Sequence, residues 1–120
     1  MLSFYAYKGC DSCRKAKKWL NSHNIEFQEF AIRETPPSLI ELEFALKIQN
    51  SIKVLFNTSG MDYRKLGLKD KLAKMSDAKA LELLASNGNL IKRPFLIDLD
   101  QDVQLTGFKE NLWSDTLMGE

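Results

Sequence analysis

The sequence predicts an α/β (α+β) fold in which a strand–helix–strand half and a strand–strand–helix half share one sheet, with a block of helices between them. Three observations carry this. Apolar runs of strand length stand only near the two ends of the chain, at residues 3–7, 25–32, 93–98 and 103–108. A basic amphipathic stretch separates the first two, so they are expected to pair in parallel through a helical crossover. Residues 38–86 show helical periodicity and almost no strand signal.

Taken in order, residues 3–7 are short and aromatic, and a turn follows at Lys8 and Gly9. Residues 12–23 place Ala16, Trp19 and Leu20 on one helical face with Arg14, Lys15, Lys17 and Lys18 around it. Asp11, Ser12 or Cys10 itself can cap that helix. Residues 25–32 alternate as a second strand. "TPPS" at 35–38 stops it and opens a helix, with Ser38 and Glu41 spaced as a capping box. Helical patterns then cover 38–49, 62–66, 68–74 and 77–86, punctuated by "NTSG", Gly67 and "SNGN". "RPFLID" at 93–98 and "VQLTGF" at 103–108 are strands joined by the turn "LDQD". A last helix at 109–118 is expected to face Leu112 and Trp113 inward. The phenylalanines at 4, 27, 30, 44, 95 and 108 are expected in the core, and one of Tyr5 and Tyr7 beside the cysteine loop.

The chain has 120 residues, enough for one domain with a core that needs no staples. Formal net charge is +1, so nothing argues for direct nucleic-acid or anionic-membrane binding, and four cations in "RKAKK" read as a solvated helix face. No apolar run approaches the ~20 residues that cross a bilayer. "MLSFYAYKGC" does not read as a signal peptide. The expected compartment is cytoplasmic, where thiols are kept reduced.

Against that background the two cysteines stand out. Cys10 and Cys13 form a C-x-x-C pair where the first strand gives way to the first helix. Helix N-terminal amides are unpaired donors with roughly half a positive charge, which favours a thiolate and is expected to bring the Cys10 pKa below about 8.5. Lys8 and Arg14 are near in sequence and are expected to add to that field. Positions one turn apart lie roughly 5 Å apart at Cα, within reach of a disulfide. Such a bridge closes almost no loop, so reversible oxidation explains the pair better than stabilisation does. Simple packing is the alternative, since free cysteine is often buried. Structural zinc would need two more ligands, and the only histidine is His23, so no metal is expected. C-x-x-C after a strand in a βαβ unit is a thioredoxin-like signature.

"LIKRPFLID" supplies the second feature. A proline without an amide to donate suits the start of a strand beside the cysteine loop, and Pro94 is a candidate cis residue. Arg93 is then expected to face the Cys10 sulfur and to bind an anion there: a thiolate, a substrate carboxylate or an oxyanion.

"YKGCDSCRKAKKWL", "FNTSGMDYRKLGLKDKL", "NGNLIKRPFLID" and "TGFKENLW", in that order, resemble the arsenate reductase (ArsC)/Spx family of thioredoxin-like proteins. The resemblance spans nearly the whole chain. It implies a four-stranded mixed sheet, with a thioredoxin-like core at about 1–35 and 90–120 and a helical insertion at about 36–89. It implies Cys10 as attacking cysteine, Cys13 as resolving or redox partner, and Arg93–Pro94 as the family's arginine with its cis-proline. No bound cofactor is implied; glutathione or another thiol would be the reductant, with glutaredoxin as a further partner.

The subfamilies differ in what they imply. Arsenate reductases of this family hold arsenate with three arginines, of which only Arg93 is matched. The other two positions fall at about Asn57 and Phe108, and a histidine of those enzymes falls at about Ala6. Charge-assisted bonds contribute roughly 1.5–3 kcal/mol each, so a weaker hold on arsenate follows, unless Lys109, Arg64 or Lys8 compensates. Spx regulators match the C-x-x-C pair, which is their oxidation switch, and bind the C-terminal domain of the RNA polymerase α subunit. A glycine of their contact surface aligns with about Ser51. The block at 56–72 is most like an uncharacterised C-x-x-C branch, for which the resemblance implies thiol oxidoreductase activity.

Overall fold

The computed structural model describes residues 1–119. Four strands form one mixed sheet: β1 (Leu2–Ala6), β2 (Phe27–Ala31), β3 (Phe95–Asp98) and β4 (Val103–Thr106), in the order β2-β1-β3-β4. β1 runs parallel to β2, with Leu2 opposite Phe27 and Ala6 opposite Ala31. It runs antiparallel to β3, which is antiparallel to β4. The helices are α1 (Asp11–Ser22), α2 (Leu39–Gln49), α3 (Met61–Lys65), α4 (Leu68–Lys71), α5 (Asp77–Ser86) and α6 (Glu110–Leu117), with 3-10 turns at Lys53–Leu55, Leu72–Lys74 and Gly88–Leu90. This is the thioredoxin-like α/β architecture expected from the sequence. Among the described residues no helix is long and apolar enough to cross a membrane.

Alternation along the strands sorts two cores onto the two sheet faces. Leu2, Phe4, Ala6, Leu96 and Leu105 point to one face, where Ala16, Trp19 and Leu20 of α1 and Trp113 of α6 cover them. Tyr5, Phe95 and Ile97 point to the other, where α2, α5 and the turns between them supply Leu42, Leu55, Leu84 and their neighbours. The helical block therefore covers one face, and the crossover and C-terminal helices cover the other. The Ser38 hydroxyl accepts from the Glu41 amide, and the Glu41 carboxylate accepts from the Ser38 amide, so the expected capping box is present.

Some expectations change. Leu112 is 48% exposed while Trp113 is buried. Adjacent helical positions differ by about 100°, and this short helix buries one stripe, through Trp113 and Leu117. Phe4 and Phe95 are fully buried, but Phe27, Phe30, Phe44 and Phe108 are only partly so. Two of these lie on β2, an edge strand with one neighbour. Phe56, absent from the expected core, is 1% exposed. β3 begins at Phe95, so Arg93 and Pro94 precede the strand, and their peptide bond is cis.

Candidate functional site

The site forms where three segments meet at one edge of the sheet. β1 ends at Ala6, and the turn after it closes with the Cys10 amide donating to the Tyr7 carbonyl at 3.1 Å. The parallel register continues one step past β2: the Ile32 amide donates to the Ala6 carbonyl at 3.0 Å, which leaves Arg33 beside Tyr7. β3 is antiparallel to β1, so the residues leading into it, Lys92 and Arg93, arrive at the same edge. That approach is pinned, with the Lys92 amide donating to the Leu55 carbonyl at 2.8 Å and the Asn57 amide to the Leu90 carbonyl at 2.7 Å. The result is a polar cavity of about 540 Å³ that Cys10, Tyr7, Arg33, Asn57, Asp62 and Arg93 line in part.

Cys10 is the N-cap of α1, and its sulfur accepts from the Cys13 amide at 3.2 Å. The sulfur thus meets the unpaired donors of the helix start and remains half-buried at the cavity. Cys13 lies one turn on and is buried, and both cysteines are free. Burial is the main force pushing the Cys13 thiol up to about 12; the hydrogen bond and charge of Cys10 push the same way, and a backbone hydrogen bond at Tyr7 and, more weakly, the Arg93 charge oppose them.

A pH dependence follows from that shift. Unfolded thiols titrate near 8.5, whereas folded Cys13 titrates near 12. The folded state therefore holds this proton longer. The stabilisation from it is complete below about pH 8.5 and is lost as pH rises through the folded value. Iodoacetamide at pH 8 is expected to label Cys10 in the native protein and both cysteines after denaturation, read by peptide mass mapping. Equal labelling of both in the native protein would contradict this account of the pair.

Arg93 meets the cavity with one nitrogen, Nη1, shut off from solvent and lacking a hydrogen-bond partner. Its guanidinium carbon lies 5.3 Å from the Tyr7 ring centroid, and that of Arg33 lies 3.6 Å from it. Both are cation–π distances. Gly9 leaves room for this ring, since a Cβ there would sit 2.6 Å from it. Among the described residues, no carboxylate lies within ion-pair reach of Arg33, Lys92 or Arg93.

Cys10, Arg93 and the supporting Pro94 are thus gathered at one edge. Lys8 and Arg14 are not in the cavity wall. Arg14 donates to the Lys8 carbonyl at 2.7 Å and pairs with Asp11, on a side of the helix start where both border a separate hollow. Tyr7, not Tyr5, lines the site; the Tyr5 hydroxyl donates to Glu41 at 2.9 Å in the core, and its burial together with that carboxylate keeps the phenol protonated. Asn57 borders the cavity, whereas Phe108 packs on Trp113 with ring centroids 5.0 Å apart and Ala6 is buried in β1. Sequence reasoning missed Arg33. Its signal was the parallel pairing itself, because the residue after a second parallel strand returns to the edge where the first strand ended.

The profile of the ArsC family matches residues 5–116. The chain belongs to the ArsC family. The uncharacterised protein YusI of Bacillus subtilis is 49% identical over 115 residues, spanning 95% of this chain and 96% of YusI. Regulatory protein MgsR of the same organism is 36% identical, spanning 81% of this chain and 76% of MgsR. The global transcriptional regulator Spx of Streptococcus pyogenes is 32% identical, spanning 92% and 81%. Among solved structures, one described as a possible arsenate reductase from Streptococcus mutans superposes with a TM-score of 0.85 at 39% identity, covering 93% of this chain and 97% of that one. An ArsC family related protein from Bacteroides fragilis gives 0.88 at 37%, covering 96% of each. These relatives include a structure described as a possible arsenate reductase, a regulatory protein and a global transcriptional regulator.

Proposed function

We propose that this ArsC-family chain is a thiol-dependent oxidoreductase that reduces disulfides through Cys10. The observation that carries this reading is the placement of Cys10: a half-buried sulfur at a helix start, in a cavity where a guanidinium has an unpartnered buried nitrogen. The Cys10 thiolate attacks one sulfur of the substrate, the substrate S–S bond breaks, and half of the substrate leaves as a thiolate. The buried Cys13 then attacks the Cys10 sulfur and releases the other half. Two molecules of glutathione or another thiol reduce the resulting Cys10–Cys13 bridge and leave as their own disulfide; glutaredoxin is the protein partner that can relay them.

The order of events is supported by the thiol pair itself. Cys13 is held protonated partly by the hydrogen bond and charge of Cys10. Once Cys10 is tied up in a neutral mixed disulfide, that charge is gone, while Arg93 still favours the Cys13 thiolate. Attack at Cys10 therefore removes one of the forces that hold the Cys13 proton, while burial, the largest of them, remains. Arg93 orients an acidic group of the substrate. The expected setting is the cytoplasm, where reduced thiols are abundant.

Two further readings have their own support. Arsenate reduction is favoured by the reductase-like structural neighbour, with Cys10 attacking arsenic and Arg93 and Asn57 facing the oxyanion. A redox-sensing regulator is favoured by MgsR and Spx. Its partner would be the C-terminal domain of the α chain of RNA polymerase, met near Ser51 in the link between α2 and the Lys53–Leu55 turn. One assay separates the three: reductant consumption driven by a disulfide, and separately by arsenate, on wild type and Cys10→Ser. Disulfide-driven turnover lost in the variant is expected. Turnover with arsenate alone supports the second reading, and absence of both, with capture of that polymerase domain, supports the third.

A further inference from the structure

The cavity holds unmatched polar atoms of both kinds. Arg93 Nη1, a donor, and Asn89 Oδ1, an acceptor, are each shut off from solvent with no hydrogen-bond partner, and both residues line the wall. Buried polar atoms are as a rule paired, with protein, ordered water or a bound ligand, and these two stand at the wall of the cavity that holds Cys10. Arg33 brings a second cation to the wall. Asp62 brings a carboxylate, held in place by the side-chain amides of Asn87 at 3.1 Å and Asn89 at 3.4 Å. A site for a simple anion would need only the cations. An inorganic oxyanion would leave Asn89 Oδ1 poorly satisfied and would bring negative charge toward Asp62.

We propose that the cavity selects thiols and disulfides carrying a zwitterionic amino-acid group, with the carboxylate on Arg93 and Arg33, the ammonium on Asp62 and Asn89, and the sulfur at Cys10. The proposal rests on the reading of Cys10 as the attacking thiol. The chemical step is exchange. The Cys10–substrate S–S bond forms, the substrate S–S bond breaks, and the departing thiolate takes a proton from solvent. Free cysteine and tripeptide thiols with a free amino-acid end share this chemistry.

A matched set of small disulfides tests it. Cystine carries both charged groups, 3,3'-dithiodipropionate only the carboxylates, cystamine only the ammoniums, and hydroxyethyl disulfide neither. The full-length Cys13→Ser protein is mixed with each, and the rate of adduct formation on Cys10 is read by intact mass, normalised to the rate with free mercaptoethanol. Turnover by wild type is measured in parallel. Cystine is expected to react fastest, with each missing group slowing the normalised rate about tenfold, the size of one charge-assisted contact. Asp62→Asn is expected to erase the preference for cystine over dithiodipropionate, and Arg33→Gln the preference for cystine over cystamine. Equal normalised rates for all four disulfides, or variants that slow all four alike, overturn the proposal. Ranked adduct rates without turnover would leave this selectivity standing and sink the oxidoreductase reading. Turnover at equal rates would do the reverse, and absence of any adduct sinks both.

Discussion

Cys10→Ser is expected to bring disulfide-driven reductant consumption down by more than about a thousandfold, because the covalent step then has no nucleophile. The same change separates chemistry from stability. Serine is among the preferred helix N-caps, and its hydroxyl can accept from the Cys13 amide as the sulfur does now. The melting temperature of Cys10→Ser should therefore hold or rise while activity vanishes. Cys13→Ser is expected to behave differently. It keeps the first attack and stops at a mixed disulfide on Cys10, visible as a mass increase that free glutathione reverses. Retention of substantial turnover by Cys10→Ser would remove Cys10 from its role.

Gly88→Ala is expected to be the most damaging single methyl in the chain. A Cβ at Gly88 would stand 1.8 Å from the Ile32 carbonyl oxygen and 3.1 Å from the Arg33 Cα. Those are backbone atoms with little freedom to yield. Ile32 is fully buried and its amide is tied to β1. Overpacking ordinarily costs roughly 1–3 kcal/mol, and a clash of backbone with backbone belongs at or above the top of that range. A fall in melting temperature on the order of 10 °C follows for a chain of this size. Activity should fall as well, even well below the transition. Arg33 follows Ile32 and Asn89 follows Gly88, so any separation of the two strands of chain moves two cavity residues. Circular dichroism melts and rates at low temperature measure the two effects; an unaltered melting temperature would contradict the close packing of this segment.

Particular residues show why much of this was legible beforehand. The C-x-x-C pair at a strand–helix junction, the capping box at Ser38 and Glu41, and the Arg93–Pro94 step are local signals, each fixed by a few adjacent residues. The structure decides what those signals left open: of Asp11, Ser12 and Cys10 it is Cys10 that caps α1, and the bond at the candidate Pro94 is cis. The misplaced features depend on long-range geometry. Lys8 and Arg14 are near Cys10 in sequence, but the helix start turns them to another side, where Arg14 is occupied by Asp11 and a carbonyl. Arg33, Asp62 and Asn89 are distant in sequence, and only the strand register and the bridge between Phe56 and Ile91 bring their segments to the cysteine loop. Leu112 and Trp113 are equally apolar by composition, and only the position of the sheet decides which one is covered.

The central claim is that Cys10 attacks and Cys13 resolves. The direct measurement is to treat the reduced wild-type protein with one equivalent of a small disulfide, denature it in alkylating agent, and map the cysteine peptides. An intramolecular Cys10–Cys13 bridge is expected, with both sulfurs protected from alkylation and full recovery of both thiols on adding glutathione. Two freely alkylated cysteines, or an adduct residing on Cys13, would contradict it.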